Sequence, residues 1–163
     1  MIVIINGPPG VGKTTASRAL ADLQPGTVCI HGDDLRAFAP EDARAHLGGG
    51  STYRAGATLA CKYLQMGAPR VLFDYCFLRP GHLRYFAEEL PLGVPMRVFT
   101  LWAPLATVQT RERSRAGRSP LGAAVQECHA EMERHLGDLG TTVDTARVDP
   151  SELVRTLAEL LAQ

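Results

Sequence analysis

No stretch of the 163 residues approaches the roughly 18 consecutive apolar residues that a membrane-crossing helix requires. Charge of one sign is equally missing, because 17 Lys plus Arg are matched by 17 Asp plus Glu. Proteins whose main task is to grip nucleic acid or an anionic membrane usually carry a basic surface, so zero net charge argues against both and leaves room only for a local basic groove. Cysteine is sparse: Cys29, Cys61, Cys76 and Cys128 are scattered, with no C-x-x-C pair and no metal-ligand spacing. They read as reduced, mostly buried thiols. The apolar opening, residues 1–5, reaches Gly7 and Lys13 at once, without the charged lead and long apolar run of a signal peptide. The expectation is a soluble, cytoplasmic protein. No internal repeat, low-complexity tract or linker divides the chain, so residues 1–163 read as a single domain large enough for a full core.

What is present is a regular alternation. Residues 1–5 are almost wholly apolar and β-branched, as suits a central parallel strand buried on both faces. A Gly/Pro-rich turn and a helix over 13–23 follow, stopped by Pro25-Gly26. Further strands are expected at 27–30, 70–73, 97–102 and 141–143. Helices are expected at 40–46, at 51–66 with Ser51 as cap, at 81–90, from Pro104 to about residue 115, at 123–136, and at 151–161 with Ser151 as cap. Short apolar strands alternating with helices imply an α/β fold, a parallel sheet covered by helices on both faces.

Gly7-Pro8-Pro9-Gly10-Val11-Gly12-Lys13-Thr14 fits G-x-x-x-x-G-K-S/T at every fixed position, between an apolar strand and a helix. The glycines let the backbone curl so that several N–H groups face one phosphate, and the positive end of the next helix points the same way. Lys13 would reach the β- and γ-phosphates, the Thr14 hydroxyl would ligate Mg²⁺, and Thr15 extends the cradle. The implied ligands are ATP, or a close relative, and Mg²⁺. A chance Gly-rich strand–helix turn is the bland alternative.

No N-K-x-D motif follows a later strand, as a GTPase would need, and the extra signatures of ABC-type and ring-forming ATPases are missing too. Small kinases remain. His31-Gly32-Asp33-Asp34-Leu35-Arg36 falls at the end of the second strand, where ligand groups gather in open parallel sheets. A carboxylate there can take or orient the proton of an attacking hydroxyl, and an arginine three residues on can hold a polar acceptor. The alternative is a plain helix N-cap.

Residues 7–14 together with Gly32-Asp33-Asp34-Leu35-Arg36 resemble the P-loop kinases that include polynucleotide 5′-kinases, adenylylsulfate kinases, zeta-toxin-like kinases and chloramphenicol phosphotransferase. The D-x-x-R pattern of the first two implies Asp33 as base, whereas similarity to chloramphenicol phosphotransferase shifts the role to Asp34. Adenylylsulfate kinases carry Asp where this chain has His31. Phe99-Thr100-Leu101-Trp102-Ala103-Pro104-Leu105 ahead of an Arg-rich helix, and Val143-Asp144-Thr145 ahead of the last helix, are similar to tunicamycin-resistance and chloramphenicol-phosphotransferase-type kinases. The resemblance implies the P-loop NTPase fold, five parallel strands in the order 2-3-1-4-5, and a lid at about 111–122.

Arg111, Arg113, Arg115 and Arg118 crowd that lid. Phosphoryl transfer needs fixed positive charge on the moving group, which arginine supplies, and Arg115 and Arg118 are the expected catalytic pair. Arg111 and Arg113 read as solvated helix charges. Asp74 closes the third strand where a Walker B carboxylate would sit, holding Mg²⁺ through water or touching the acceptor, with a plain strand-end cap as the alternative. Asp34, Arg36 and Arg54 are expected on the acceptor side, with Arg79 as either acceptor-side or surface. His31, His82, His129 and His135 have no ligand spacing and read as structural. The expected activity is transfer of a γ-phosphoryl group to a hydroxyl of a small molecule such as an antibiotic, nucleoside or sugar derivative. The alternatives are a 5′-hydroxyl kinase of nucleic-acid ends and a nucleotide-binding regulatory module with no acceptor chemistry.

Overall fold

The computed structural model describes residues 1–114 and 120–163. Five strands, β1 (Ile2–Asn6), β2 (Val28–His31), β3 (Val71–Asp74), β4 (Met96–Trp102) and β5 (Thr141–Asp144), form one sheet in the order β2-β3-β1-β4-β5. Every pairing is parallel. Among the described residues, eight α-helices connect them: α1 (Lys13–Asp22), α2 (Gly32–Ala37), α3 (Glu41–His46), α4 (Ser51–Gln65), α5 (Pro80–Ala87), α6 (Leu105–Arg113), α7 (Ala123–Glu133) and α8 (Pro150–Ala162). The expected α/β fold and strand order are found. Among the described residues, no helix is long and apolar enough to cross a membrane.

β1 lies between β3 and β4 and is buried at all five positions, which explains why its sequence is a continuous apolar run. Its side chains alternate between two cores. Val3 and Ile5 join Leu72, Phe99, Leu101, Ala16 and Leu20 of α1, and Leu153 and Leu157 of α8. Ile2 and Ile4 join Val71, Phe73, Ala57 and Ala60 of α4, and Phe86 of α5 on the opposite face. Each fully buried Ile or Phe here contributes about 1.5–3 kcal/mol by leaving water.

The parallel order brings the carboxyl ends of β1, β2 and β3 side by side, which is what builds the site. Residues 32–36, expected at the end of the second strand, follow β2 directly and start α2. Two expected caps are corrected. Helix α4 is capped by Gly50 at φ 80°, not by Ser51. Helix α8 is capped by Asp149, which accepts from the Ser151 and Glu152 amides, so Ser151 is the capped residue. Neighbouring capping residues are nearly interchangeable in sequence, and only the backbone path separates them.

Two outcomes test this packing. Gly56 of α4 lies against Phe73, where an added Cβ would stand 2.5 Å from the ring. Gly56→Ala gains about 1 kcal/mol of helix propensity but suffers overpacking of about 1–3 kcal/mol, so thermal unfolding should shift down by a few degrees. The hydroxyl of Ser151 and the amides of Glu152 and Ser151 hold the Asp149 carboxyl below its usual range. A depressed carboxyl stabilises the fold above its unfolded pKa and loses that contribution as pH falls through the folded one. The melting difference between wild type and Asp149→Ala should therefore be full at neutral pH and shrink below about pH 4.

Candidate active site

β1 ends at Asn6, whose side chain is fully buried. Its Oδ1 accepts from the Phe77 amide at 2.8 Å, and its Nδ2 donates to the Phe77 carbonyl and to Thr100 Oγ1. One residue thus pins the loop after β3 to the strand that leads into residues 7–14. Residues 7–12 then turn into α1 with Gly10 at φ 84° and Gly12 at φ 106°. Gly10 is pressed onto α6, where a Cβ would strike the Val108 carbonyl, so a side chain is excluded by space as well as by φ. Gly12 caps α1 without any side-chain partner, which leaves the first amides of the helix as an anion cradle. Lys13 Nζ folds back over the loop and donates to the Pro8 carbonyl at 3.2 Å.

Behind the cradle a chain of side chains crosses three elements. Thr14 Oγ1 donates to Asp74 Oδ1 at 3.0 Å, and His31 Nδ1 lies 2.5 Å from Asp74 Oδ2. Arg18 Nε donates to His31 Nε2 at 3.1 Å, so the ring hydrogen sits on Nδ1 and is donated to Asp74. His31 and Asp74 are register partners at the ends of β2 and β3. The two oxygens of Thr14 and Asp74 form a hard donor pair of the kind Mg²⁺ prefers. Cys29 brings a sulfur within 4.8 Å of His31 and Asp74, but that mixed set suits a softer ion, and His31 is already engaged by Arg18. Burial, and then Asp74, push the Cys29 thiol up to about 12.

A cleft of about 890 Å³ opens in front of these groups, lined by Pro9, Gly10, Gly12, Lys13, Thr14 and Thr15 on one side and by Asp33, Arg36, Tyr75 and Cys76 on the other. Asp33 and Arg36 stand one turn apart on α2. Gly32 starts that helix with Tyr75 so near that a Cβ would fall 2.5 Å from its ring, which draws α2 against the loop after β3. Burial raises the Tyr75 hydroxyl, with Arg36 opposing. That loop is also held from below, because Tyr53 of α4 donates to the Cys76 carbonyl at 2.9 Å and meets His82 Nδ1 at 2.9 Å. Desolvation raises the Tyr53 hydroxyl and lowers the His82 imidazole.

A smaller cavity of about 250 Å³ adjoins the cradle, formed by Val11, Thr15 and Ala16 of the α1 side with Thr145, Val148, Pro150 and Leu153. Arg111 lines both cavities. It donates to the Thr145 carbonyl at 2.9 Å and to Thr145 Oγ1 at 3.3 Å. The sequence reading as a solvated charge is therefore corrected: Arg111 is a fixed wall residue. Glu112 beside it is buried and accepts from the Leu121 amide.

The structure brings together residues 7–15, Asp33, Arg36 and Asp74. Asp34 is exposed on α2 and is not among the cleft-lining residues. Arg54 does not face the cleft: Glu88 at 2.8 Å and Glu89 at 2.5 Å hold it over the Tyr85 ring. Arg79 is exposed and donates to His82. Arg115 and Arg118, and with them the middle of the expected lid at 111–122, lie outside the described residues. Sequence reasoning missed Arg18, Tyr75 and Pro150, and it named Arg111 and Thr145 without a place in the walls of the site. The proline at the first turn of the helix after β5 was the available signal there.

The family model described as AAA domain matches residues 2–138. No curated protein matches the sequence significantly. The fold is similar to an unliganded sugar kinase of Janibacter sp. HTCC2649 (19% identity, TM-score 0.77, 99% of this chain and 94% of that one). It is also similar to a tunicamycin resistance protein of Deinococcus radiodurans (23%, 0.70, 98% and 94%). A third similar structure is a shikimate kinase of Acinetobacter baumannii in complex with shikimate (20%, 0.66, 99% and 92%).

Asn6→Ala removes both partners of the Phe77 peptide groups inside the core. At about 1–3 kcal/mol per stranded buried group, the variant should lose roughly 2–4 kcal/mol in urea unfolding, and the Asn6→Asp variant should not rescue it, because Asp cannot donate to the Phe77 carbonyl when ionised.

Proposed function

This chain belongs to the AAA domain family, and on that premise we propose that it is an ATP-dependent kinase that transfers a γ-phosphoryl group to a hydroxyl of a small molecule of antibiotic, nucleoside or sugar type. One observation carries the reading: Lys13 and Thr14 share a cleft with Asp33 and Arg36. A nucleotide switch has no use for a carboxylate and a guanidinium facing its phosphate loop, whereas an acceptor kinase needs both. The similar folds, a sugar kinase and a shikimate kinase among them, support a small hydroxylated acceptor. Kinship with the chloramphenicol-phosphotransferase and zeta-toxin-like kinases rests on residues 7–14 and 32–36 and belongs to the proposal.

In this reading the ATP phosphates lie on the amides of residues 10–15, with Lys13 on the β- and γ-oxygens. The 250 Å³ cavity beside Arg111 and Pro150 takes the base. Thr14, with Asp74 behind it, would hold Mg²⁺, which when bound neutralises charge on the β- and γ-phosphate oxygens. Arg36 positions the acceptor. Asp33 takes the proton of its hydroxyl as that oxygen bonds to the γ-phosphorus and the bond to the β–γ bridging oxygen breaks, leaving ADP. Asp33 is preferred to Asp34 because Asp33 lines the cleft. Arg115 and Arg118 are assigned to the closing lid on sequence alone.

The test is a transfer screen with Mg-ATP and a panel of antibiotics, nucleosides, sugars and 5′-hydroxyl oligonucleotides, read by ³¹P NMR of the product. Lys13→Ala and Asp33→Asn should each lower kcat/KM by about 10²–10⁴, and Asp34→Asn by less than about tenfold. Phosphorylation of oligonucleotide ends alone, with steep salt dependence, would move the assignment to an end kinase. ATP binding without any phosphorylated acceptor, with slow hydrolysis indifferent to Asp33→Asn, would replace the kinase by a binding module.

A further inference from the structure

Two of the four cysteines stand in the cleft and have no part in the reading above. Cys76 follows β3 by two residues, and Cys128 lies midway along α7. Both line the 890 Å³ cleft together with Lys13. Their thiols are hydrogen-bonded to each other although the residues are far apart in sequence. The other two cysteines sit elsewhere: Cys61 is buried in α4, and Cys29 is half-buried on β2.

The pair is chemically asymmetric. The hydrogen bond from Cys76 lowers the Cys128 pKa against the effect of burial, and the Lys13 ammonium acts in the same direction. Cys76 gives that hydrogen bond and is half-buried, as Cys128 is. Cys128 is therefore placed as the nucleophile and Cys76 as the thiol that resolves the product. Burial pushes Cys29 and Cys61 up as well, and neither has a thiol partner among the described residues. A reactive cysteine needs thiolate character, a positive neighbour and access, and Cys128 combines all three.

We propose that Cys76 and Cys128 form a dithiol modification site in the wall of the cleft, which hydroperoxides or small disulfides convert to an intramolecular disulfide. With a hydroperoxide, the Cys128 thiolate attacks the terminal oxygen and the O–O bond breaks. Two electrons pass from sulfur to oxygen, an alcohol or water leaves with a proton, and Cys128 becomes a sulfenic acid. The Cys76 sulfur then attacks that sulfur, the S–O bond breaks, and hydroxide leaves as water with the Cys76 proton. Two thiols and one hydroperoxide give one disulfide, one alcohol or water and one further water. With a small disulfide, Cys128 first forms a mixed disulfide and releases one small thiol, and Cys76 then displaces the second. Either route ties α7 to the loop after β3 beside Lys13.

The experiment uses the full chain, reduced and then freed of reductant. Iodoacetamide labelling of the untreated protein, followed by peptide mass spectrometry, gives a rate for each cysteine. Cys128 should react at least about tenfold faster than Cys29 and Cys61. Parallel samples receive hydrogen peroxide or oxidised glutathione, and the linkages are mapped. A single Cys76–Cys128 disulfide, reversed by dithiothreitol, is expected in both arms. With Cys76→Ser, Cys128 should stop at a dimedone-trapped sulfenic acid in the first arm and at a glutathione adduct in the second. Labelling of Cys128 no faster than of Cys29 and Cys61 would overturn the proposal without recourse to any variant. So would oxidation that links other cysteines, links two chains, or leaves both thiols free.

Discussion

Inside a sheet-and-helix core a carboxylate has to be met by donors, and the Asp74 side chain is only 5% exposed. Its donors come from two other elements: Thr14 from the start of α1 and His31 from the end of β2. Satisfying that one group therefore ties the phosphate cradle, the strand that leads into α2, and the strand that leads into the Tyr75–Phe77 loop. Parallel pairing of β2 with β3, and of β3 with β1, is what makes the convergence possible, because it brings the same end of all three strands to one edge. Everything proposed for catalysis hangs from this edge.

The walls of the site are fixed by two further residues. Asn6 anchors the loop after β3 through both peptide groups of Phe77, and Arg111 anchors α6 to the turn after β5 through Thr145. Neither faces an exposed surface patch. Each is a polar side chain spent on neighbouring backbone or hydroxyl groups, which holds a cavity open instead of filling it. The result is a cradle with a cavity of about 250 Å³ on one side and a cleft of about 890 Å³ on the other, both preformed.

How much of this was legible depended on whether a residue's role is local. Residues 7–14 could be read directly, since the turn needs glycine at set places and the chemistry needs Lys13 and Thr14 beside it. The α/β class followed from period and punctuation, and the strand order agreed with the resemblance. The His31–Asp74 pair was not legible, because register between strands 43 residues apart is absent from either segment alone. Arg54 looks like an acceptor residue in sequence, but Glu88 and Glu89, directly after the end of α5, neutralise it. Arg111 failed in the opposite sense: an arginine within an Arg-rich run looks solvated, and only the fold supplies the Thr145 carbonyl it meets. The caps slipped by one or two residues, Ser51 to Gly50 and Ser151 to Asp149, because adjacent residues compete for the same backbone amides.

The most direct test of the central claim is a crystal structure with Mg²⁺, a non-hydrolysable ATP analogue and an acceptor from the transfer screen. The account predicts phosphates on the amides of residues 10–15, the base between Arg111 and Pro150, the Thr14 hydroxyl turned from Asp74 toward the metal, and Asp33 facing the γ-phosphate across the acceptor hydroxyl. An analogue seated away from residues 7–15, or an acceptor bound where Asp33 and Arg36 do not reach it, would contradict it.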